Sequence, residues 1–354
     1  MSIASIAAKM RKQFELPTDL EMGVTQWLST GFAPLDLAIS GKSEGGGMPV
    51  GRIVEMFGPS SCGKTAIATN VMAGAQKMGG LAMFMDHERS FDKRLAEQLG
   101  LDADGNFLYE RPDTYEQSLT YVVNTIREVR ESKAIPDEAP IVVVLDSLAA
   151  MVPQSKMEKD ISAQGMNDSL ALAKATSATF PAMAVHCEKF NMLLLVLNQM
   201  RLKPGVVYGP PETTPGGEAP RYYASVRIQL GAQKQTEGEG KDKQMIGQDI
   251  TAICIKNKVS RPFQKAIWEF RFREDGSGFF DVTTSLIRYG IKEEILAYSK
   301  PRVTWTDGKQ YFVKALAEKI DKEGLQEELR KLVMAPITPS SVRAALLLKA
   351  AEFA

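Results

Sequence analysis

The sequence predicts an α/β protein built on a mostly parallel central sheet with an antiparallel extension. Three observations predict it. Four continuously apolar runs, RIVEMF (52–57), LAMFMD (81–86), PIVVVLD (140–146) and MLLLVLN (192–198), read as strands covered on both faces. Helical stretches at 65–78, 114–131 and 168–190 alternate with them, the order of a parallel sheet with crossover helices. A glycine-rich phosphate-loop motif stands where the first run gives way to the first of these helices.

From the N-terminus, Ile3, Ile6, Met10 and Phe14 recur at three- and four-residue intervals, a short amphipathic helix that Pro17 ends. So short a helix does not hold itself together and must dock, either on its own core or on a neighbouring subunit; the pattern alone leaves both open. A polar link leads to Leu28. After about residue 222, the stretches YASVRIQL, DITAICIKN and KAIWEFRFRE follow one another without a long helix, which predicts the antiparallel extension, with QTEGEGKDKQMIG as a hairpin tip. From about 285 the pattern is again helical, interrupted at Pro301, Asp307-Gly308 and Pro336. The chain therefore divides into an N-terminal helix and linker (1–28), a core (29–286) and a small C-terminal region (287–354).

The bulk composition bounds the rest. The 354 residues are 44% hydrophobic and 24% charged, ordinary for a globular protein, and no apolar run approaches the roughly 20 residues that span a bilayer. MSIASIAAKMRKQF does not read as a secretory signal, so a cytoplasmic protein with no membrane partner is expected. Cys62, Cys187 and Cys254 lie far apart with only His87 and His186 beside them, which argues against a zinc site and for reduced thiols. Bases and acids balance at 43 each, so any nucleic-acid contact must gather positive charge locally on a few loops.

The motif GPSSCGKT comprises Gly58, Pro59, Ser60, Ser61, Cys62, Gly63, Lys64 and Thr65. Its glycines turn backbone N–H groups towards phosphates, and the following helix adds the partial positive charge of its N-terminus. Lys64 is placed to reach the β- and γ-phosphates of ATP and Thr65 to bind Mg2+, with Asp146, at the end of an aliphatic strand, as the second metal-side residue. Hydrolysis also needs a group that orients water. Glu88, Asp86 and His87, in FMDHERSFD, compete for that role on spacing alone. The segment between Gln199 and Ala219 is rich in glycine and proline and carries two cations, too irregular for core packing and suited to phosphate-backbone contact without base reading.

GRIVEMFGPSSCGKT, FMDHERSFD, VVVLDSLAAMVP and above all NQMRLKPGVVYGPPETTPGGEAPRYYASVR resemble the corresponding segments of bacterial RecA recombinases, and IKNKVSRPF is similar too. The resemblance runs from about Leu28 to Gly290 and implies a RecA-type P-loop ATPase core that forms helical filaments on single-stranded DNA and exchanges strands with double-stranded DNA, with DNA-stimulated ATP hydrolysis. It implies that Glu88 activates water and that Gln199 senses the γ-phosphate. Ala66 and Asp92 join the motif residues at the ATP site. Residues 200–217 become a DNA-binding loop, with Arg201, Lys203 and Arg221 near phosphates and Gly216 and Gly217 allowing close approach. A second loop at 158–168 offers Met166 as an inserting residue. Lys256 and Lys258 match lysines that reach the ATP of the neighbouring subunit, and the N-terminal helix then packs on a neighbour. Leu95 stands where the family usually carries an adenine-stacking tyrosine, and Pro204 where it carries a wedging isoleucine. These departures suit a divergent or virus-encoded member. The 12 bases against 9 acids from Arg288 to Ala354 leave a duplex-DNA surface open. A ring-shaped DNA motor would share the ATP site but not the segment after Gln199, and a nucleotide-dependent adaptor would bind recombinases without pairing DNA itself.

Overall fold

The computed structural model describes residues 2–14, 23–160, 170–202, 212–238, 244–273 and 277–335. Helix α1 (Ile3–Gln13) starts at Ser2, whose hydroxyl accepts the Ser5 N–H at 3.2 Å, and ends in the bases Arg11 and Lys12, which suit its dipole. None of its residues is buried, and Ile3 and Phe14 are 88% and 64% exposed. Its apolar stripe is thus not docked on the described core. Next, β1 (Trp27–Leu28) pairs with β2 (Met48–Pro49) around α2 (Ala33–Ser40), which begins with Pro34 in its first turn and stops at the left-handed Gly41.

The predicted alternation follows: β3 (Ile53–Gly58), α3 (Lys64–Lys77), β4 (Leu81–Asp86), α4 (Lys93–Gln98), β5 (Phe107–Glu110), α5 (Tyr115–Glu131), β6 (Ile141–Asp146), a 3-10 turn (Leu148–Ala150), the short α6 (Gln154–Met157), α7 (Ala171–Lys189) and β7 (Met192–Gln199). Two-residue strands β8 (Arg201–Leu202) and β9 (Glu212–Thr213) and the short α8 (Ala219–Tyr223) lead to β10 (Val226–Glu237), β11 (Gln244–Asn257), β12 (Lys265–Phe272) and β13 (Gly278–Asp281).

Nine strands form one sheet in the order β13-β12-β11-β10-β3-β7-β6-β4-β5. From β10 to β5 all neighbours are parallel, and from β10 to β13 they are antiparallel. The parallel body and antiparallel extension read from the sequence are both present. The continuous apolar runs divide between two cores by the period of two. Val142 and Val144, with Leu193, Leu195 and Leu197, face α2 and α3, whereas Ile141, Val143 and Leu145, with Met192, Leu194 and Val196, face α5 and α7. Because β3 continues over β7 and β6 to β4, the C-terminal ends of β3, β6 and β7 open a crevice at the sheet centre, where doubly wound sheets bind ligands.

The C-terminal stretch differs from its helical reading. After α9 (Val282–Lys292), capped by Asp281, come β14 (Tyr298–Ser299), β15 (Arg302–Thr304) and β16 (Gln310–Phe312), an antiparallel three-stranded sheet, and then α10 (Val313–Glu323) and α11 (Gln326–Met334). Strands of two and three residues are too short to show a period. Leu286, Trp305, Leu316 and Leu329 join the same apolar core as α2 and α3.

Candidate nucleotide site

The phosphate loop leaves β3 at Gly58 and enters α3 at Lys64, as the motif requires. Gly63 is left-handed (φ 86°) at the start of α3, and no side chain caps that end, so the first N–H groups of the helix remain available to an anion. Gly58 is fixed by space: a Cβ there would lie 2.5 Å from the Leu230 carbonyl oxygen of β10. The buried Lys64 ammonium donates to the carbonyls of Gly58 (3.2 Å) and Pro59 (2.7 Å), which holds it across the loop.

Thr65 donates its hydroxyl hydrogen bond to Asp146 Oδ2 at 2.8 Å, joining the start of α3 to the end of β6. Burial pushes the Asp146 carboxyl up to about 6, against the lowering effect of the Thr65 hydrogen bond. A hydroxyl and a buried carboxylate at the base of a phosphate loop are the hard oxygen donors that suit Mg2+.

Among the three acidic-segment rivals, the surroundings differ. Asp86 is fully buried and accepts from the N–H groups of Ser90 (3.3 Å) and Phe91 (3.2 Å) and from the Tyr109 hydroxyl (2.9 Å), so its carboxylate organises the turn after β4. The His87 ring pairs with Ser118 on α5 (2.6 Å), and burial lowers its pKa to about 4. Glu88 alone of the three lines the cleft, where its Oε1 accepts from Gln199 Nε2 at 2.7 Å and from the Ser147 hydroxyl. Gln199 ends β7 directly opposite Gly58 of β3.

The cleft around these groups has a volume of about 860 Å³, within the range of small-ligand sites. Pro59, Ser60, Ser61, Gly63, Lys64, Thr65 and Ala66 line it, together with Glu88, Asp146 and Gln199. Cys62 turns away into the core, and all three cysteines are buried and unpaired. Asp92 is not among the lining residues; its carboxylate caps α4 through the N–H groups of Arg94 (2.9 Å) and Leu95 (3.2 Å). Leu95 does line the cleft, and so do Met245, Gln248, Phe270 and Phe272 from β11 and β12. Reading along the chain misses these four, because only the pairing of the antiparallel extension brings them opposite the phosphate loop.

Of the segment assigned to DNA, residues 200–202 and 212–217 are described, and it starts directly after the cleft residue Gln199. Arg201 is exposed on β8, whose partner across the ladder is Thr213 of β9. Arg221 is engaged within the chain, donating to Thr213 Oγ1 (2.7 Å) and pairing with Glu218 (3.0 Å). Gly216 and Gly217 are both left-handed, and the close approaches they permit are to the protein itself: a Cβ would lie 2.7 Å from Leu148 and from Ala173 of α7, respectively. Met166, Lys203 and Pro204 lie outside the described residues. Lys256 donates to the carbonyls of Arg221 and Tyr222 (2.9 Å) and Lys258 to that of Tyr222 (3.2 Å), at the end of α8 and away from the cleft of their own chain. Burial, with Lys258 and Arg227 nearby, lowers the Lys256 pKa to about 8.

A family model of the RecA N-terminal domain matches residues 9–277. The chain is 37% identical to Protein RecA of Lactococcus lactis subsp. cremoris (strain MG1363) over 284 residues, 80% of this chain and 68% of that protein. It is 38% identical to Protein RecA of Wolbachia sp. subsp. Brugia malayi (strain TRS) over 277 residues, covering 77% and 71%. With a matched domain over most of the chain and a phosphate loop, Glu88 and Gln199 gathered at the crevice of the sheet, the chain belongs to the RecA family.

Proposed function

We propose that this protein is a DNA-dependent ATPase that assembles as a helical filament on single-stranded DNA, pairs it with homologous double-stranded DNA and exchanges strands in recombination and repair. The observation that carries the reading is the hydrogen bond between Gln199 and Glu88. It ties the cleft residue best placed to orient water to the residue that opens the segment assigned to DNA. A change at the γ-phosphate would therefore be felt two residues away at Arg201.

The backbone N–H groups of the phosphate loop and Lys64 bind the phosphates of ATP, and Glu88 orients the attacking water for in-line displacement at the γ-phosphate. Thr65 and Asp146 would hold Mg2+, which neutralises charge developing on the phosphate oxygens. Lys256 and Lys258 lie away from their own cleft, which suits action on the ATP of a neighbouring subunit. The exposed apolar stripe of α1 favours docking on that neighbour over self-docking. Arg201 supplies a cation at the entrance to the DNA-facing segment, and sequence-blind backbone contact leaves discrimination to base pairing.

A joint-molecule assay tests this reading directly. Purified protein, ATP, Mg2+, circular single-stranded DNA and linear duplex are expected to yield joint molecules only when the DNAs are homologous. Absence of joint molecules with a fully active ATPase would favour a translocating motor or an adaptor instead.

A further inference from the structure

Glu55 is a fully buried carboxylate in the middle of β3, three residues before the phosphate loop, and its partners belong to the two neighbouring strands. Arg227 of β10, its cross-strand neighbour, donates Nε to Oε2 at 2.6 Å and stacks its guanidinium over Phe57, 4.8 Å from the ring centroid. Asn198 of β7 donates Nδ2 to Oε1 at 3.0 Å. The same Asn198 amide donates to the Pro215 carbonyl at 3.0 Å and accepts the backbone N–H of Gln199 at 3.0 Å. Asn198 is thereby orientated completely, with its NH2 group towards Glu55 and Pro215 and its oxygen towards Gln199.

Each of these bonds reaches a different working part. Gln199 touches Glu88 in the cleft. Pro215 belongs to the returning stem of the DNA-facing segment, where Thr176 of α7 also holds the Gly216 carbonyl at 2.7 Å. Arg227 lies opposite Lys256 in the β10–β11 ladder. A buried ion pair gives little net stability over apolar packing, so stability alone does not account for an acid at this point of β3. Its two acceptor oxygens do account for the geometry: only a group accepting on both sides fixes Arg227 and Asn198 at once.

We infer that Glu55 is a positioning residue that couples the nucleotide cleft to the DNA-facing segment, by setting through Asn198 the placement of both Gln199 and the Pro215 stem. The inference rests on the reading of this chain as a DNA-stimulated ATPase. It requires that the two oxygens of Glu55 act as acceptors; a glutamine there would turn an NH2 group towards one of two donors and force Asn198 or Arg227 from its place.

The test uses full-length protein and compares ATP hydrolysis with and without a single-stranded oligonucleotide. Stimulation of the native protein is the first arm; if DNA leaves its rate unchanged, the DNA-stimulated reading itself fails, before any variant is considered. Given stimulation, E55Q is expected to lower the ratio of stimulated to unstimulated rate ten-fold or more, while the Kd of a fluorescent ATP analogue shifts less than three-fold. A folded E55Q with a stimulation ratio within two-fold of native would overturn the inference. Should circular dichroism show E55Q unfolded, N198L, which keeps the Glu55–Arg227 pair, takes its place with the same expected ten-fold loss, and a native ratio in folded N198L would equally overturn it.

Discussion

Glu88, His87 and Asp86 are three adjacent polar residues with three different surroundings, and this separation yields sharp expectations. Glu88→Gln is expected to lower kcat for ATP by at least about 100-fold, the scale of a lost general base, with nucleotide binding nearly unchanged. His87→Gln, whose side chain faces Ser118, is expected to keep hydrolysis within about three-fold. Steady-state kinetics and analogue binding on the two variants check both outcomes. His87 also sets a pH dependence. Burial lowers its pKa to about 4 from the ordinary imidazole value of 6.5, so the unfolded chain takes up the proton first. The stability contributed by neutral His87 is complete above pH 6.5 and is lost as pH falls towards 4, by about 2 kcal/mol at pH 5. Denaturant unfolding of native and His87→Gln protein at several pH values should show a shallower acid slope in the variant.

Among elements, the phosphate-loop strand and helix α1 make opposite demands. Gly58 faces the backbone of β10 with no room for a methyl group, because its close neighbour is the Leu230 carbonyl and not a flexible side chain. Gly58→Ala is expected to lower Tm by several degrees and to weaken nucleotide binding, measured by thermal unfolding and analogue titration. Removing residues 1–14 is expected to leave Tm within about two degrees, since nothing in α1 is buried, yet to abolish DNA-bound assemblies in sedimentation. The elements most legible in the sequence were those whose signal is local. Strands β3, β4, β6 and β7 are long apolar runs, and α3 follows a motif. Strands β14 to β16 are not legible, because two or three residues carry no periodicity. The surroundings of Glu55, Asn198 and Arg227 were hidden for another reason: each is an ordinary polar residue in an apolar strand until the order β10-β3-β7 sets them side by side. Phe272 and Met245 reach the cleft in the same way, through pairings that no local pattern records.

On the scale of the whole molecule, one sheet holds the candidate nucleotide cleft at its centre, and the segment proposed to contact DNA begins at the end of β7. Lys256 and Lys258, proposed to act on a neighbour's ATP, bond to the carbonyls that end α8 and do not line their own cleft, and α1 exposes its apolar stripe. Both features suit a molecule that becomes complete when copies stack along DNA, with nucleotide state controlling the grip of each copy. The measurement that tests this coupling most directly is the affinity for a labelled single-stranded oligonucleotide, by fluorescence polarisation, with a non-hydrolysable ATP analogue, with ADP and without nucleotide. At least ten-fold tighter binding with the ATP analogue than with ADP is predicted; equal affinity in all three states would contradict the account.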